Sequence, residues 1–525
     1  VKGEIVELPG WAAKDGKPVI TVQPGPRNAA VDAAMAALLE AKAEIYQRSH
    51  TLVRVAGIRS RAMNGAAITT PGIVEVTRPI LERLLGEVAH WQKIGSGKGG
   101  HATAPCAPPQ SVVAMILDMV GAWEFPTLRG IAACPTIRAS GTLLTEPGYD
   151  EETGMVLRSG VQLPTRFHDD PSFDEADAAG ALLLDLLSEF PFSDEASRSV
   201  GLSMIMTAVL RTAMEVAPMH LVTAPLAGTG KSYLADVASV IATGERAPAI
   251  AVAPDDPAET EKRLAGSIIA GSPIVCLDNC SEALSGDFLC QITERPLLKP
   301  RILGTSDLPI ISNAVTVFAN GNNASVVDDL VRRTLICSMD ANTENPENRV
   351  FSRNPLKEVR ENRGLYVAAC LTIARAYVLA GAPKGDLAPL GSYEGWCHFV
   401  RQPLVWLGYA DPVDSMATAR AVDPVRQDRY ELFTAWAEAL GTSEVWTAAD
   451  IVDMVSEKDY NDKLKHPKMY DLLLSFCAKR GSMGQIDARR LGLLLKKHVN
   501  TIAAGLKMVG DVADRRRVKY GVRWQ

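Results

Sequence analysis

Cysteine is scattered in this chain of 525 residues: none of its nine cysteines forms a Cys-x-x-Cys pair, and the nearest two are Cys276 and Cys280. That spacing speaks against a zinc site and against a disulfide scaffold, and it points to a reducing, cytoplasmic setting. The eight histidines are equally dispersed, without metal-ligand spacing. No apolar stretch approaches the roughly 18 residues that span a bilayer, and no secretory signal is visible, so no membrane partner is expected. An excess of basic charge is missing too. With a net charge of −6, no global field attracts nucleic acid, and any such contact must come from local patches. Internal repeats and low-complexity segments are absent. The chain opens on Val1 rather than Met, and the expectation is a processed protein or a piece of a longer one with a domain upstream.

What is present is ordinary globular material. A hydrophobic content of 47% against 22% charged residues excludes a disordered or fibrous chain, and the length suggests about three or four domains. Residues 1–27, rich in Gly, Pro and Lys, are expected to form an extended arm. Helices are expected over 29–43, 79–91 and 111–119, with a hairpin over 46–56, a loop over 95–109, and short strands and turns over 125–154. Two helices, 173–187 and 195–216, open the next region. Short apolar runs then alternate with helical segments, as in a parallel sheet with crossover helices. The runs are 220–224, 249–253, 274–277, 314–319 and 334–337, followed by helices over 365–379 and 396–407. The last region offers helices over 448–457, 470–479 and 487–497 and a two-stranded ending, the elements of a winged helix. The domains expected are an N-terminal α+β domain (1–165), an α/β ATPase domain (166–385), a helical lid or linker (386–440) and a winged-helix domain (441–525).

The run 220–224 leads into Pro225-Leu226-Ala227-Gly228-Thr229-Gly230-Lys231-Ser232, after which a helix continues. This is the strand–loop–helix setting of a phosphate-binding loop. Glycines let backbone N–H groups curl around an anion, and the helix start adds its positive end. Lys231 is expected to reach the β- and γ-phosphates of ATP, and Ser232 to offer its hydroxyl to Mg2+. Pro225 stands where the usual pattern has Gly, which implies a reshaped loop entrance. The run 274–277 leads into Asp278, placed to hold the magnesium through water. Asn279 follows where many such ATPases carry a water-polarising Glu, so the base stays open between Asp278 and a carboxylate elsewhere. The fourth run ends at Asn320-Gly321-Asn322-Asn323. An amide there can orient the attacking water, with Asn322 ahead of Asn320, although Asn and Gly also favour turns. Arg332 and Arg333 precede the last run and suit an arginine finger; a solvated charged helix end is the other reading.

Together these residues resemble the helicases of phage and plasmid primase–helicase proteins, in the superfamily 3 branch of the AAA+ ATPases. The resemblance runs from about Tyr46 to the C-terminus. It includes Trp123-Glu124-Phe125-Pro126-Thr127-Leu128-Arg129-Gly130-Ile131, Gly148-Tyr149-Asp150-Glu151-Glu152-Thr153-Gly154, Asp278-Asn279, Arg301-Ile302-Leu303-Gly304, Gly321-Asn322-Asn323 and Leu330-Val331-Arg332-Arg333. It implies an ATP-driven ring, usually a hexamer, translocating on DNA during replication of a mobile element. Nucleotides would lie between subunits, with Arg332 or Arg333 acting in trans. It also implies a pore hairpin before the fourth strand, here 300–312 with Thr305-Ser306-Asp307 near its tip. Lys299 and Arg301 are the nearest cations, as readily ordinary surface charges as DNA contacts. The chain departs from the family at Pro225 and at Asn320, where the family has Thr. No primase carboxylate set is visible in 1–165, and Asp150 suits a structural role; a primase or polymerase is a partner to expect elsewhere.

Between Asp487 and Gln525 stand ten cations against three carboxylates, a net of +7 in an otherwise acidic protein. Arg489, Arg490, Lys496 and Lys497 lie on a helix that could meet DNA, and Arg515, Arg516 and Arg517 on a wing that could meet phosphates. A charged surface for a protein partner is the competing reading. Leu491 and Trp524 are expected in the core, and His220 is expected to be packed. Three functions follow in order: an ATP-dependent DNA helicase, an ATP-switched replication initiator, and a non-motor ATPase scaffold.

Overall fold

The five apolar runs in the middle of the chain form the strands of one parallel sheet: β1 (Met219–Ala224), β2 (Ala249–Ala251), β3 (Ile274–Asp278), β4 (Thr316–Asn322) and β5 (Thr334–Ser338). The computed structural model describes residues 16–525 apart from 24, 26, 62–66, 95–102, 254–255, 302–308, 384, 422, 480–483 and 515–516. The strand order is β2-β3-β4-β1-β5, every neighbour parallel. Strands covered on both faces need no polar alternation; Leu221, Val222, Val275, Leu277, Phe318, Ala319 and Leu335 are accordingly buried. Because β4 is inserted between β1 and β3, its carboxyl end lies between the ends of the two strands that carry the loop and Asp278. Ligands of open α/β sheets collect at those carboxyl ends.

Helices cover the sheet. α1 (Phe173–Leu186) and α2 (Glu195–Leu210) precede it, α3 (Lys231–Thr243), α4 (Pro257–Ile269) and α5 (Asp287–Glu294) lie within it, and α6 (Arg363–Leu379) follows. Their ends are chemically marked. Ser172 and Glu175 close a capping box on α1, the Asp194 and Asp256 side chains accept N–H groups at the starts of α2 and α4, and Gly244 ends α3 in a left-handed conformation. Val200, Ile205, Val237, Ile241, Cys337, Leu371 and Trp396 share one core beneath this layer. The helix expected over 396–407 runs without a break from Glu394 to Trp406, with a wider-wound turn at Cys397–Arg401.

Ahead of this layer, helices Asn28–Glu40, Arg78–Val88 and Gln110–Asp118 enclose Leu38, Leu81, Leu85, Val113 and Trp91. Two expectations need correction here. The supposed arm contains a strand, Val19–Val22, paired in parallel with His90–Ile94, and the helix expected to reach 91 stops at Val88. Val-Ile-Thr-Val is a β-branched run, and its partner strand claims the residues after the helix. The expected hairpin forms at Tyr46–Arg48 and Thr51–Arg61, and the latter also pairs with Ala67–Glu75. This region is fastened to the parallel-sheet layer by two arginines, Arg48 buried and Arg129 half-buried. Arg48 donates to the carbonyls of Ile268 and Ile269, and Arg129 to those of Thr212 and Met214. Burial pulls the Arg48 guanidinium down to about 10, since only neutral carbonyls compensate its lost water.

The second compact unit comprises residues 325–332 and 417–525. Its helices are α7 (Pro424–Leu440), α8 (Ala448–Ser456), α9 (Pro467–Cys477) and α10 (Ala488–His498). Its strands β6 (Trp446–Thr447), β7 (Ile502–Ala503), β8 (Leu506–Asp514) and β9 (Arg517–Trp524) form an antiparallel sheet in the order β6-β9-β8-β7. Phe433, Trp436, Ile451, Leu473, Leu491, Leu495, Met508 and Val522 fill the core, so α7, within the stretch 386–440 expected as a helical lid or linker, belongs to it. Leu491 is buried as expected. Trp524, by contrast, is 69% exposed: alternation puts it on the face of the buried Tyr520 and Val522, but it stands at the last rung of the β8–β9 ladder, opposite Leu506, where the core has ended.

Candidate nucleotide site

The loop between β1 and α3 turns on two glycines in the left-handed region, Gly228 at φ +76° and Gly230 at φ +99°. A side chain at Gly228 would also meet the Glu347 backbone N at 2.9 Å. Pro225 and Ala227 lie exposed at the entrance, and Thr229 is buried. The lysine that begins α3 folds back into this loop. Lys231 Nζ donates to the Leu226 carbonyl at 2.9 Å, to Thr229 Oγ1 at 3.2 Å and to Asn322 Oδ1 at 2.7 Å. Only 8% of the residue is exposed, and burial lowers its pKa. A buried ammonium satisfied by three neutral acceptors has no counter-charge, so an anion delivered here gains a strong partner.

Beside it, Ser232 Oγ lies 3.2 Å from Asp278 Oδ1 and 3.3 Å from Asn320 Oδ1. These groups arrive from three strand ends, and a cleft of about 560 Å³ between them is lined by Ala227, Gly228, Lys231, Asp278, Asn279, Asn320 and Asn322. Among the described residues no three His, Cys, Asp or Glu side chains gather as a metal cage. Magnesium, however, takes one or two protein oxygens and completes its shell from phosphate and water. A serine hydroxyl and an aspartate carboxylate at this separation fit that requirement.

The fourth strand lies farther along the chain than its apolar run suggested, and extends through Asn322. Asn320 and Asn322 are therefore strand residues on one face rather than a turn beyond it. They differ in depth. Asn320 is buried, its Nδ2 directed at Cys276 Sγ and its backbone carbonyl holding the Cys280 N–H at 2.8 Å. Asn322 is exposed and touches Lys231. Between them Gly321 leaves no room for a side chain, for an added Cβ would stand 2.0 Å from the Cys280 carbonyl oxygen. That contact seats the turn after Asp278 against β4, with Asn279 left-handed at φ +56°. A Gly between two Asn was visible in the sequence; the turn at Cys280 that it must clear was not.

The two arginines part company. Arg333 is buried and paired with Glu294 Oε2 at 2.5 Å, while it also donates to the Cys290 carbonyl. The Arg332 side chain is 48% exposed and pairs with Asp329. A finger reaching outward is thus open to Arg332, whereas Arg333 is spent inside its own chain. Lys299 and Arg301 are exposed beside a short antiparallel ladder, Leu297–Leu298 with Ile311–Ser312. The tip expected at Thr305-Ser306-Asp307 lies outside the described residues. In the second unit, Arg489, Lys496 and Lys497 are exposed on α10 around Leu493, and Arg490 donates to the Ala478 carbonyl. Arg515 and Arg516 lie outside the described residues, and Arg517 begins β9. Asp150 holds Arg138 at 2.8 Å and caps Thr153, the structural role expected of it.

No family model matches the chain, and no curated protein matches it. Among solved structures it is similar to an apo form of the NrS-1 C-terminal region, at 11% identity and a TM-score of 0.34, over 93% of this chain and 98% of that one. It is also similar to the active helicase Cch of SCCmec type IV, at 12% identity and a TM-score of 0.30, over 84% of this chain and 95% of that one. A third, JCV helicase, shares 10% identity at a TM-score of 0.21, over 45% of this chain and 66% of that one. Likenesses this distant settle nothing about the activity of this chain.

Proposed function

We propose that the protein is an ATP hydrolase that drives a DNA helicase, working as a ring, of the hexameric kind implied by the family resemblance, during replication of a mobile genetic element. The observation that carries the hydrolase reading is the convergence of Lys231, Ser232, Asp278 and Asn322 on one cleft at the strand ends. Lys231 exchanges its neutral acceptors for the β- and γ-phosphate oxygens of ATP. Ser232 and Asp278 would hold magnesium, which when bound neutralises charge on those oxygens. Lys231 thereby releases the Asn322 amide, which orients the attacking water. Asn320 acts as a positioning residue through Ser232. Arg332 stabilises charge on the nucleotide of an adjoining subunit. The helicase half of the reading rests on the sequence resemblance and on the cationic C-terminal unit, whose helices α8, α9 and α10 and β8–β9 hairpin suit a winged helix that meets DNA phosphates.

One observation favours a second reading. No carboxylate follows Asp278; Asn279 stands there, with its backbone N 3.5 Å from Asn320 Oδ1. A site poor in base chemistry hydrolyses slowly, which suits an initiator that uses ATP as an assembly switch at an origin. The test is the ATPase rate with and without single-stranded DNA, in the wild type and in Lys231→Ala. Stimulation that disappears in the variant supports a DNA motor, to be followed by strand displacement. DNA-indifferent turnover lost in the variant keeps the hydrolase and moves the reading to the switch. Turnover unchanged in Lys231→Ala refutes both.

A further inference from the structure

A second pocket opens from the same loop on its other side. It measures about 310 Å³, within the usual range of small-molecule sites, and shares Gly228, Gly230 and Tyr233 with the phosphate cleft. Its walls are largely aromatic and apolar: Phe190, Pro191, Tyr233, Phe351 and Pro355. Phe190 packs on Gly230, where an added Cβ would stand 3.6 Å from the ring, and lies 6.1 Å from Tyr233 between centroids. The far wall is the segment after β5, held down by Ser352 and Arg353 on the Glu189 carboxylate and by Arg349 Nη2 on the Glu189 carbonyl at 2.7 Å.

Resting on the nucleotide reading above, we infer that this pocket takes the base of the nucleotide, and that it reads a flat ring by stacking while leaving the exocyclic amino group unread. The polar inventory carries the second half. The Glu189 carboxylate accepts from Ser352 and Arg353. The Tyr233 hydroxyl donates to Asn354 Oδ1 and accepts from the Leu356 N–H, and Asn354 Oδ1 also accepts from the Lys357 N–H. The side-chain acceptors of the wall are thus already engaged. One donor is left: Arg349 Nη1, buried without a hydrogen-bond partner, on a guanidinium 4.9 Å above the Phe351 ring. Adenine and guanine both offer ring-nitrogen acceptors and a wide π-face, and they differ in where their amino groups sit. A wall with a donor and stacking rings, whose side-chain acceptors are already engaged, holds both purines and has little means of telling them apart; pyrimidines stack less well.

The experiment uses the full chain and competition against a fluorescent ATP analogue, with ATP, GTP, CTP and inorganic tripolyphosphate as competitors. ATP and GTP should bind within about fivefold of each other, with CTP weaker. Phe351→Ala and Arg349→Ala should each weaken ATP and GTP alike by at least tenfold and leave tripolyphosphate unchanged, since it occupies the phosphate cleft alone. Phe351→Tyr, which keeps the ring, should restore binding, which separates lost stacking from a misfolded wall. A preference for ATP over GTP of a hundredfold, or nucleotide binding indifferent to both alanine variants, overturns the inference while the phosphate site stands. Tripolyphosphate and ATP binding that survive Lys231→Ala undo the nucleotide reading itself.

Discussion

At the scale of single residues, adjacent side chains of one type have opposite fates. Arg333 sits in a buried ion pair with Glu294, and Arg332 in an exposed one with Asp329. Removing one member of a buried pair strands its partner and costs ~3–5 kcal/mol, whereas an exposed pair contributes ~1 kcal/mol or less. Arg333→Ala should therefore lower the unfolding midpoint markedly. Arg332→Ala should leave it nearly unchanged yet cut turnover by about 10³-fold if it serves a neighbouring subunit. Mixing Arg332→Ala with Lys231→Ala subunits should then recover part of the lost turnover, because each lacks what the other supplies. Equal stability of the two arginine variants, or no recovery on mixing, would contradict this division. The loop and its Lys231 were legible in the sequence because glycines and a lysine at fixed spacing state their chemistry locally. The division between Arg332 and Arg333 was not, since burial depends on Glu294, which is remote in the chain. Gly321 and Trp524 teach the same lesson in opposite directions: one is constrained by a carbonyl 41 positions earlier, the other is an aromatic that the fold leaves in water.

At the scale of elements, β1 carries the loop, and its second residue, His220, makes contacts unrelated to phosphate. His220 is fully buried, its Nε2 3.1 Å from Ser203 Oγ, its ring edge-on to Phe318, its Nδ1 without a partner. Burial holds it neutral, with its pKa lowered from 6.5 to about 3. The sign follows directly. The unfolded chain takes a proton near 6.5 and the folded one does not, so the contribution is intact above that pH and is lost as pH falls from 6.5 towards 3. Each unit in that window costs about 1.4 kcal/mol. At pH 5 the wild type should take up about one proton more on unfolding than His220→Gln, measured by potentiometric titration in urea. Equal uptake would mean that the imidazole is already charged in the fold. Strand β1 itself was readable as an apolar run. The two-residue offset of β4 was not, because Asn320, Gly321 and Asn322 have poor strand propensity and are drawn into the sheet by pairing with Val222, Thr223 and Ala224. Val19–Val22 is a similar case, a strand that exists through its partner at His90–Ile94.

At the scale of the whole molecule, if this acidic protein works on DNA as proposed, it must confine its attraction to a patch, and the C-terminal unit concentrates that charge. On α10 the exposed Arg489, Lys496 and Lys497 lie about two turns apart along one side, with Lys496, Lys497 and His498 in the last turn, where the helix dipole favours cations. Leu491 and Leu495 face the other way into the core, so the charged side can be neutralised without disturbing packing. If each cation meets one phosphate, the triple variant Arg489→Ala, Lys496→Ala, Lys497→Ala should reduce the slope of log affinity against log salt by about 2 on single-stranded DNA and by nearly 3 on duplex. Affinity should fall evenly across sequences, for phosphate contacts carry no base information. ATP turnover without DNA should stay as it is, since none of the three lies in the nucleotide cleft. An unchanged salt slope with intact DNA binding would reassign this face to a protein partner and leave the ladder beside Lys299 and Arg301 as the remaining place for DNA to be gripped.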